Sequence, residues 1–353
     1  MNGRTVIPDI STSTRYFFVV NPICFDNHQK MESMIAGVHR FFNELSKSTI
    51  KVPPDYAVHV SRFPRDAIGA IRRFAAAVPS AVPLRVYAVG GDGILFDCLN
   101  GIVGLNNVEL GIMPYGAENK FCTFFGIKNQ NILNSLEIQT RSSSIPVDAM
   151  YCNGNYALSH CMIGLESLIN GKIKKIRKHI FLKRFMPSVF YFFFVNYMYF
   201  IDALNFKTVD HNYSLWVDGE DMSGVHFAIN IINTSWHSGE GFNPKIDPCD
   251  GWLNVLVGGD MSVLKIFKTI NGWSNTLNKL KIAEMYGSDG DQEKYRNLSR
   301  KFYTFRYAKK IFITSENSLI LNLDDEIFYD KNITIEIKPA AIRIIVPNSV
   351  AGV

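Results

Sequence analysis

Paired cysteines and a dominant sign of charge are what this sequence lacks. Its six cysteines, Cys24, Cys98, Cys122, Cys152, Cys161 and Cys249, form no CxxC pair and stand in no cluster with histidine. That spacing argues against a zinc site or a disulfide scaffold and predicts reduced, mostly buried thiols in a cytoplasmic protein. A bridge between Cys152 and Cys161 is the pairing left open. With 37 Lys and Arg against 32 Asp and Glu, the net charge of +5 is too mild for a dedicated nucleic-acid binder. There is no internal repeat and no low-complexity tract. The opening Met1-Asn2-Gly3-Arg4 is polar and the apolar stretch 16–20 is too short for a secretory h-region, so no signal peptide is expected.

One uncharged run, residues 185–201, is closed by Arg184 and Asp202 and sits at the lower length limit for a membrane span. Pro187 and Asn196 interrupt it and its apolar content is aromatic, so a buried or interfacial helix is the expectation. Just before it, Lys172, Lys174, Lys175, Arg177, Lys178, Lys183 and Arg184 form a basic stretch with no acidic residue among them. A solvated helix face and attraction to an anionic membrane surface are both open readings. Together the two segments predict a peripheral, membrane-facing element on a cytoplasmic protein.

Chemistry gathers at one place. Residues 84–89 are rich in β-formers and end in Gly90-Gly91-Asp92-Gly93. A helical pattern follows, with Ile94, Leu95, Cys98, Leu99, Ile102 and Val103 on one face. Glycines at a strand-to-helix turn let the backbone approach a polyphosphate without Cβ atoms in the way. The Asp92 carboxylate stands where it can hold a metal ion or accept a proton. A purely structural tight turn is the plain alternative.

With 353 residues, 47% of them hydrophobic, the chain can bury a large core and is expected to form two domains. Strand-like 16–20, helical 31–45, strand-like 56–60, helical 66–77, strand 84–89 with its helix, and strand 109–113 ending at Pro114 follow in order. That alternation predicts a parallel sheet with ligands at the carboxyl ends of its strands. After about residue 143 the period becomes two, at 213–217, 226–232, 252–257, 310–314, 319–323, 334–338 and 342–346. Turns such as Asp218-Gly219 and Asp250-Gly251 separate some of these, as in an antiparallel sheet or sandwich. Residues 288–301 are polar and charged and read as a surface loop. The predicted division is an α/β domain at 12–142 and a β-rich domain at 143–347.

In series, these motifs resemble the diacylglycerol kinase/sphingosine kinase family of lipid kinases, particularly its small bacterial members, over about residues 14–347. Asn21-Pro22 is similar to the opening of the family's first phosphate loop, and Ser61 falls where a nucleotide-contacting threonine is common. Residues 90–100 resemble GGDGTxxExxN. Pro114-Tyr115-Gly116-Ala117-Glu118-Asn119-Lys120-Phe121, with Phe125-Gly126-Ile127, resembles PxGTxNDFxxxxGI. Asp148 and residues 159–166 resemble the passage into the second domain. Val217-Asp218-Gly219-Glu220, residues 230–241, the stretch 243–253, Leu323-Asp324-Asp325-Glu326 and the closing strand to Val346-Pro347 complete the series.

The resemblance implies the fold class: an α/β domain of the NAD kinase/diacylglycerol kinase-like type, then an antiparallel β-rich domain. It implies ATP and Mg2+ as cofactors, a lipid substrate at the membrane surface and transfer of the γ-phosphoryl group. It assigns nucleotide binding to Asn21, Pro22, Ser61, Gly90, Gly91, Asp92, Gly93, Gly116, Asn119 and Lys120. It gives catalysis to Asp92 and, across the cleft, to Asp324 and Glu326, one of them the base; a solvated hairpin turn is the alternative for that pair. It implies a structural magnesium at Asp250 with backbone carbonyls of Asp247 and Trp252, unless Asp250-Gly251 is an ordinary turn. A homodimer is left open.

The departures bear on the site. Ile94 and Ala117 replace threonines, Phe96 a small polar residue, Asp97 a glutamate, Cys24-Phe25 a serine-glycine, Lys120 an aspartate and Asp325 a glycine. Each phosphate hydrogen bond lost costs about 1–3 kcal/mol. Lys120 can itself bind phosphate as a point charge. A weakened member that binds lipid or protein without phosphate transfer is therefore the second reading. NAD kinase, which shares the GGDG loop, is a third, disfavoured by Phe96-Asp97 and the late segments.

Overall fold

The computed structural model describes residues 14–48, 55–116, 119–127, 132–165, 167–168, 171–172, 197, 201, 212–234, 246–259 and 303–347. The run 185–201, nearly all of the basic stretch and the loop expected at 288–301 lie outside these residues. The chain divides into two units, Met1–Ala149 with Pro339–Val353, and Met150–Lys338. The second unit therefore starts at Met150 rather than at residue 143, and the final strand ends back in the first unit. Hydrogen bonding explains the difference: Arg343 and Ile344 pair in parallel with Glu109 and Leu110, and the Ala340 N–H donates to Asp148 Oδ1 at 2.7 Å.

In the first unit the order is β1 (Arg15–Val20), α1 (His28–Ser48), β2 (Asp55–Val60), α2 (Asp66–Ala77), β3 (Leu84–Gly90), α3 (Asp92–Ile102), β4 (Val108–Pro114), α4 (Lys120–Phe124) and α5 (Ile132–Arg141). Strand β1 pairs in parallel with both β2 and β3, and β3 with β4, giving the order β2-β1-β3-β4. The inner strands are apolar almost throughout because helices cover both faces. Tyr16, Phe18 and Val20 pack on Met31, Met34, Val38 and Phe42 of α1 and Leu136 of α5. On the other face, Phe17 stacks on Phe74 of α2 at 4.3 Å, and α2 lies against α3. Each fully buried side chain of this kind contributes about 1.5–3 kcal/mol. Helix α1 begins earlier than its apolar period suggests, since Asn27 Oδ1 accepts the Lys30 N–H at 2.9 Å and caps it.

The later strands are β5 (Ser144–Cys152), which runs from the first unit into the second, β6 (Asn155–Ala157), β7 (His160–Gly164), β8 (Asn212–Val217), β9 (Glu220–Asp221), β10 (Gly224–Ile232), β11 (Leu253–Gly259), β12 (Tyr303–Ala308), β13 (Lys310–Leu323) and β14 (Glu326–Ile345). Within the second unit the pairing is antiparallel, in the order β12-β11-β10-β7-β13-β14, with β8 on β13 and β10. Alternation is clean in β8, where Tyr213, Leu215 and Val217 are buried and their neighbours are not. The stretches 310–314 and 319–323 form one strand whose register shifts between Thr314 and Leu319. Among the described residues no helix is long and apolar enough to cross a membrane.

Candidate functional site

The strand order reverses direction between β1 and β3, and open parallel sheets take ligands at such a switch point, beyond the carboxyl ends of the strands. Two loops meet there. After β1, Asn21 caps a single 3-10 turn, Pro22–Cys24, its Oδ1 accepting the Ile23 N–H at 3.1 Å. Pro22 suits the first position of that turn, where no N–H is required. After β3, Gly90 has φ 154°, and Gly91 caps α3 without any side-chain acceptor. A Cβ on Gly90 would stand 3.0 Å from Asn21 Cβ and 3.2 Å from Cys24 Sγ. The two loops touch because position 90 is bare.

The loop after β4 closes the rim. Tyr115 and Gly116 donate their N–H groups to the Gly90 carbonyl at 2.8 and 3.1 Å. Gly116 lies back to back with Gly91, so that a Cβ at 116 would be 2.4 Å from Gly91 Cα. Asn119, at φ 47°, locks this turn: Oδ1 accepts the Gly116 N–H at 3.1 Å and Nδ2 donates to the Gly116 carbonyl at 2.7 Å. The result is a rim of bare main chain at the positive end of α3, the arrangement that receives phosphate groups. Asp92 opens α3 at that rim. Burial pushes the Cys24 and Cys122 thiols up, and the nearby Asp92 charge adds to both.

Ser61 follows β2. Its N–H donates to the Val20 carbonyl at 2.9 Å, and its hydroxyl to the Phe63 carbonyl at 3.3 Å. Sequence reasoning did not find what holds this loop. Asp97 is buried, and its carboxylate accepts the Arg65 N–H at 3.0 Å and Arg65 Nη1 at 2.8 Å. The Arg65 guanidinium lies 4.4 Å from the centre of the Phe96 ring. Asp66 accepts from the Arg62 N–H and pairs with His59 Nε2, both at 3.0 Å, and the Arg62 N–H is the main cause of its lowered pKa.

In the second unit two hairpin turns share one geometry. Asp218 and Gly219 join β8 to β9 at φ 47° and 87°, and Asp324 and Asp325 join β13 to β14 at φ 46° and 67°. Asp324 accepts three backbone N–H groups, from Leu158 at 2.6 Å and from Ser159 and His160 at 2.9 Å each. Burial raises its pKa, while His160 and those three donors pull the other way. Both of its oxygens are therefore committed to the turn 158–160. Glu326 is half-buried at the start of β14.

The residues implied to hold a structural magnesium form two successive Asx turns. Asp247 Oδ1 accepts the Cys249 N–H and Asp250 Oδ1 the Trp252 N–H, both at 2.9 Å, and the Asp247 carbonyl accepts the Asp250 N–H at 3.4 Å. Each turn uses one oxygen of its aspartate. Lys309 Nζ lies 4.6 Å from the Trp252 ring centre.

Residues 16–152 match the diacylglycerol kinase catalytic domain. A Staphylococcus haemolyticus protein that carries the name "putative lipid kinase" is 24% identical over 321 residues, 89% of this chain and 92% of that relative. The chain is similar to lipid kinases of the diacylglycerol kinase type. A diacylglycerol kinase of Bacillus subtilis is 32% identical over 75 residues, 21% of this chain and 25% of its own. The crystal structure of a Bacillus anthracis diacylglycerol kinase shares the fold, with TM-score 0.58 at 20% identity over 95% of this chain and 98% of that one.

Against the family pattern, Ile94 is buried and its Cγ2 would lie 2.8 Å from a Cβ at Gly90, so it fills apolar space beneath the loop where a threonine hydroxyl is usual. Cys24 takes a hydrogen bond with the Gly91 backbone in place of the usual small residues. Ala117, Glu118 and the side chain of Lys120 lie outside the described residues.

Proposed function

We propose that this protein is an ATP-dependent lipid kinase, transferring the γ-phosphoryl group to the hydroxyl of a diacylglycerol-like or sphingoid lipid. The observation that carries the reading is the bare contact of Gly91 with Gly116 at the first turn of α3, beside Asp92. Side chains at either position would drive the two loops apart and break up the rim of main-chain groups that a phosphate would meet. ATP enters as its magnesium complex, in which the metal would supply neutralisation of the phosphate charge. Asp92 takes the metal side of that complex, and the main chain of residues 90–93 and 116 takes the phosphates. Asn21 and Asn119 keep their loops in place, Ser61 and Pro22 flank the nucleotide, and Lys120 supplies positive charge.

In the transfer, the lipid oxygen bonds to the γ-phosphorus as the bond from that phosphorus to the β-phosphate bridging oxygen breaks, releasing ADP. The hydroxyl proton passes to a carboxylate. Of the two that the family pattern offers, Glu326 suits this role, because Asp324 already spends both oxygens on three N–H groups. Access to lipid is through peripheral binding to a membrane, for which the sequence of residues 172–201 is the candidate. The buried Ile94 favours a second reading, a member that binds lipid or protein with weakened transfer. Incubation with γ-labelled ATP and a panel of lipid alcohols tests the proposal. Label is expected in the lipid phase and is expected to vanish in Asp92→Asn at an unchanged melting temperature. Equal labelling by Asp92→Asn would remove that residue from the mechanism.

A further inference from the structure

The outward face of strands β8, β13 and β14 carries a polar hollow beside two bare aromatic rings, and the kinase reading uses neither. Outward residues of the three strands fall in rows: Ser214, Thr314 and Asn332 in one, Trp216, Phe312 and Thr334 in the next. Trp216 and Phe312 stand opposite each other and are 41% and 39% exposed. The indole is held in place, since Trp216 Nε1 donates to Ser214 Oγ at 3.2 Å. The first row ends in a bulge, where residues 315–318 of β13 stand against the single Lys331 of β14. Bulges re-aim side chains. This one walls a cavity of about 470 Å3, lined by Ser214, Ser223, Thr314, Ser315, Glu316 and Asn332.

The lining says which chemistry it would hold. The Thr314 hydroxyl, the Asn332 carboxamide and the Glu316 carboxylate offer both donors and acceptors, and they hydrogen-bond to no other described group. Among the described residues that line the cavity, Glu316 is the one charged side chain, so a phosphate would meet no cation and one repelling carboxylate. A wholly apolar ligand would strip these groups of water and return no hydrogen bonds. A ligand with several hydroxyls and one apolar ring face suits both the lining and the exposed indole. We infer that this hollow is a carbohydrate-binding site, in which sugar hydroxyls hydrogen-bond to Thr314, Glu316 and Asn332 and the C–H face of the ring lies on Trp216. A free saccharide and a glycolipid headgroup share that chemistry. The inference stands independently of the nucleotide site.

Calorimetry and saturation-transfer NMR on the full chain with maltose, lactose and chitobiose test the site. Flotation with phosphatidylcholine vesicles, with and without glucosyl diacylglycerol, separates the two sources. At least one disaccharide is expected to bind saturably with a Kd of about 1 mM. Trp216→Ala should abolish that binding, and Thr314→Val and Glu316→Gln should each weaken it about tenfold. Tyr329→Ala, which removes an exposed ring away from the cavity, should leave it at the wild-type value. Added retention on the glucosylated vesicles assigns the headgroup, and disaccharide binding without it assigns a soluble saccharide. No disaccharide bound below about 10 mM, or wild-type affinity in both Trp216→Ala and Thr314→Val, overturns the inference. Binding to plain vesicles that Trp216→Ala abolishes, with no disaccharide bound, makes the ring pair a membrane anchor and overturns it too. Loss of ATP binding alone strikes the kinase reading and leaves this site standing.

Discussion

Gly116→Ala is the sharpest perturbation of the phosphate rim. The added Cβ would stand 2.4 Å from Gly91 Cα and 2.7 Å from Asn119 Oδ1. Carbon atoms in ordinary contact keep about 3.5 Å, so the two loops must part by roughly 1.1 Å. Gly91 cannot retreat easily, because it opens α3, whose first turn packs in the core through Ile94 and Leu95. The bonds from Gly116 to Gly90 and Asn119 have to stretch instead. Overpacking of this size costs about 1–3 kcal/mol, or some 2–4 °C of melting temperature for each kcal/mol. A misplacement of about 1 Å at reacting groups also lowers kcat/KM about 100-fold. Gly104→Ala is the control: Gly104 has φ 81° and nothing within 4 Å of its would-be Cβ, so it carries backbone strain alone, about 1–2 kcal/mol. Thermal melting and ATP calorimetry on both variants should give comparable losses of stability, with ATP affinity lost only at position 116. Wild-type ATP affinity in Gly116→Ala would refute the phosphate rim.

Three further outcomes are expected. Asp325→Gly gives the β13–β14 turn the glycine that the β8–β9 turn already has at Gly219, and should raise stability by about 1 kcal/mol in denaturant melts; a lower midpoint would show that the carboxylate matters more than the strain. Asp324→Ala orphans three N–H donors and should cost about 3 kcal/mol or more in melting, whereas Glu326→Gln should leave melting and ATP affinity alone and cut kcat by about 100-fold or more; the reverse pattern would exchange their roles. Glu336, bonded to Lys310 and Lys338, has its pKa pushed down from 4.5 to about 2. A depressed folded pKa means stabilisation that is present above 4.5 and is lost as pH falls toward 2. At this solvent-washed face it amounts to no more than about 1 kcal/mol, and Glu336→Gln should flatten that part of the acid melting profile; an unchanged profile would rule the cluster out as a source of pH dependence.

The parallel sheet was legible because its inner strands are nearly all apolar and each ends in glycine, proline or asparagine. Period and punctuation are local, and the chain states them directly at residues 16–22 and 84–93. The antiparallel strands 213–217 and 226–232 were legible for the same reason. Partner choice is not local. Nothing near Asp97 in sequence announces that it holds Arg65, and the bend at Ala340, at φ 49° and fixed by Asp148, hides the return of the last strand to the first unit. The strands 144–152 and 155–157 went unseen because their burial follows tertiary neighbours rather than alternation. At Asp324 the pattern identified a carboxylate but not that its oxygens were already committed. Arg65 offered one faint signal, a basic residue directly before the helix that starts at Asp66.

Titration of the wild-type protein with ATP in the presence of magnesium tests the central claim most directly, because every assigned role presupposes that the glycine rim receives a triphosphate. Saturable binding of modest strength is predicted, with competition by ADP and by inorganic tripolyphosphate. No binding up to millimolar ATP by a folded protein would contradict the kinase account and leave a protein that binds lipid or a partner without transfer.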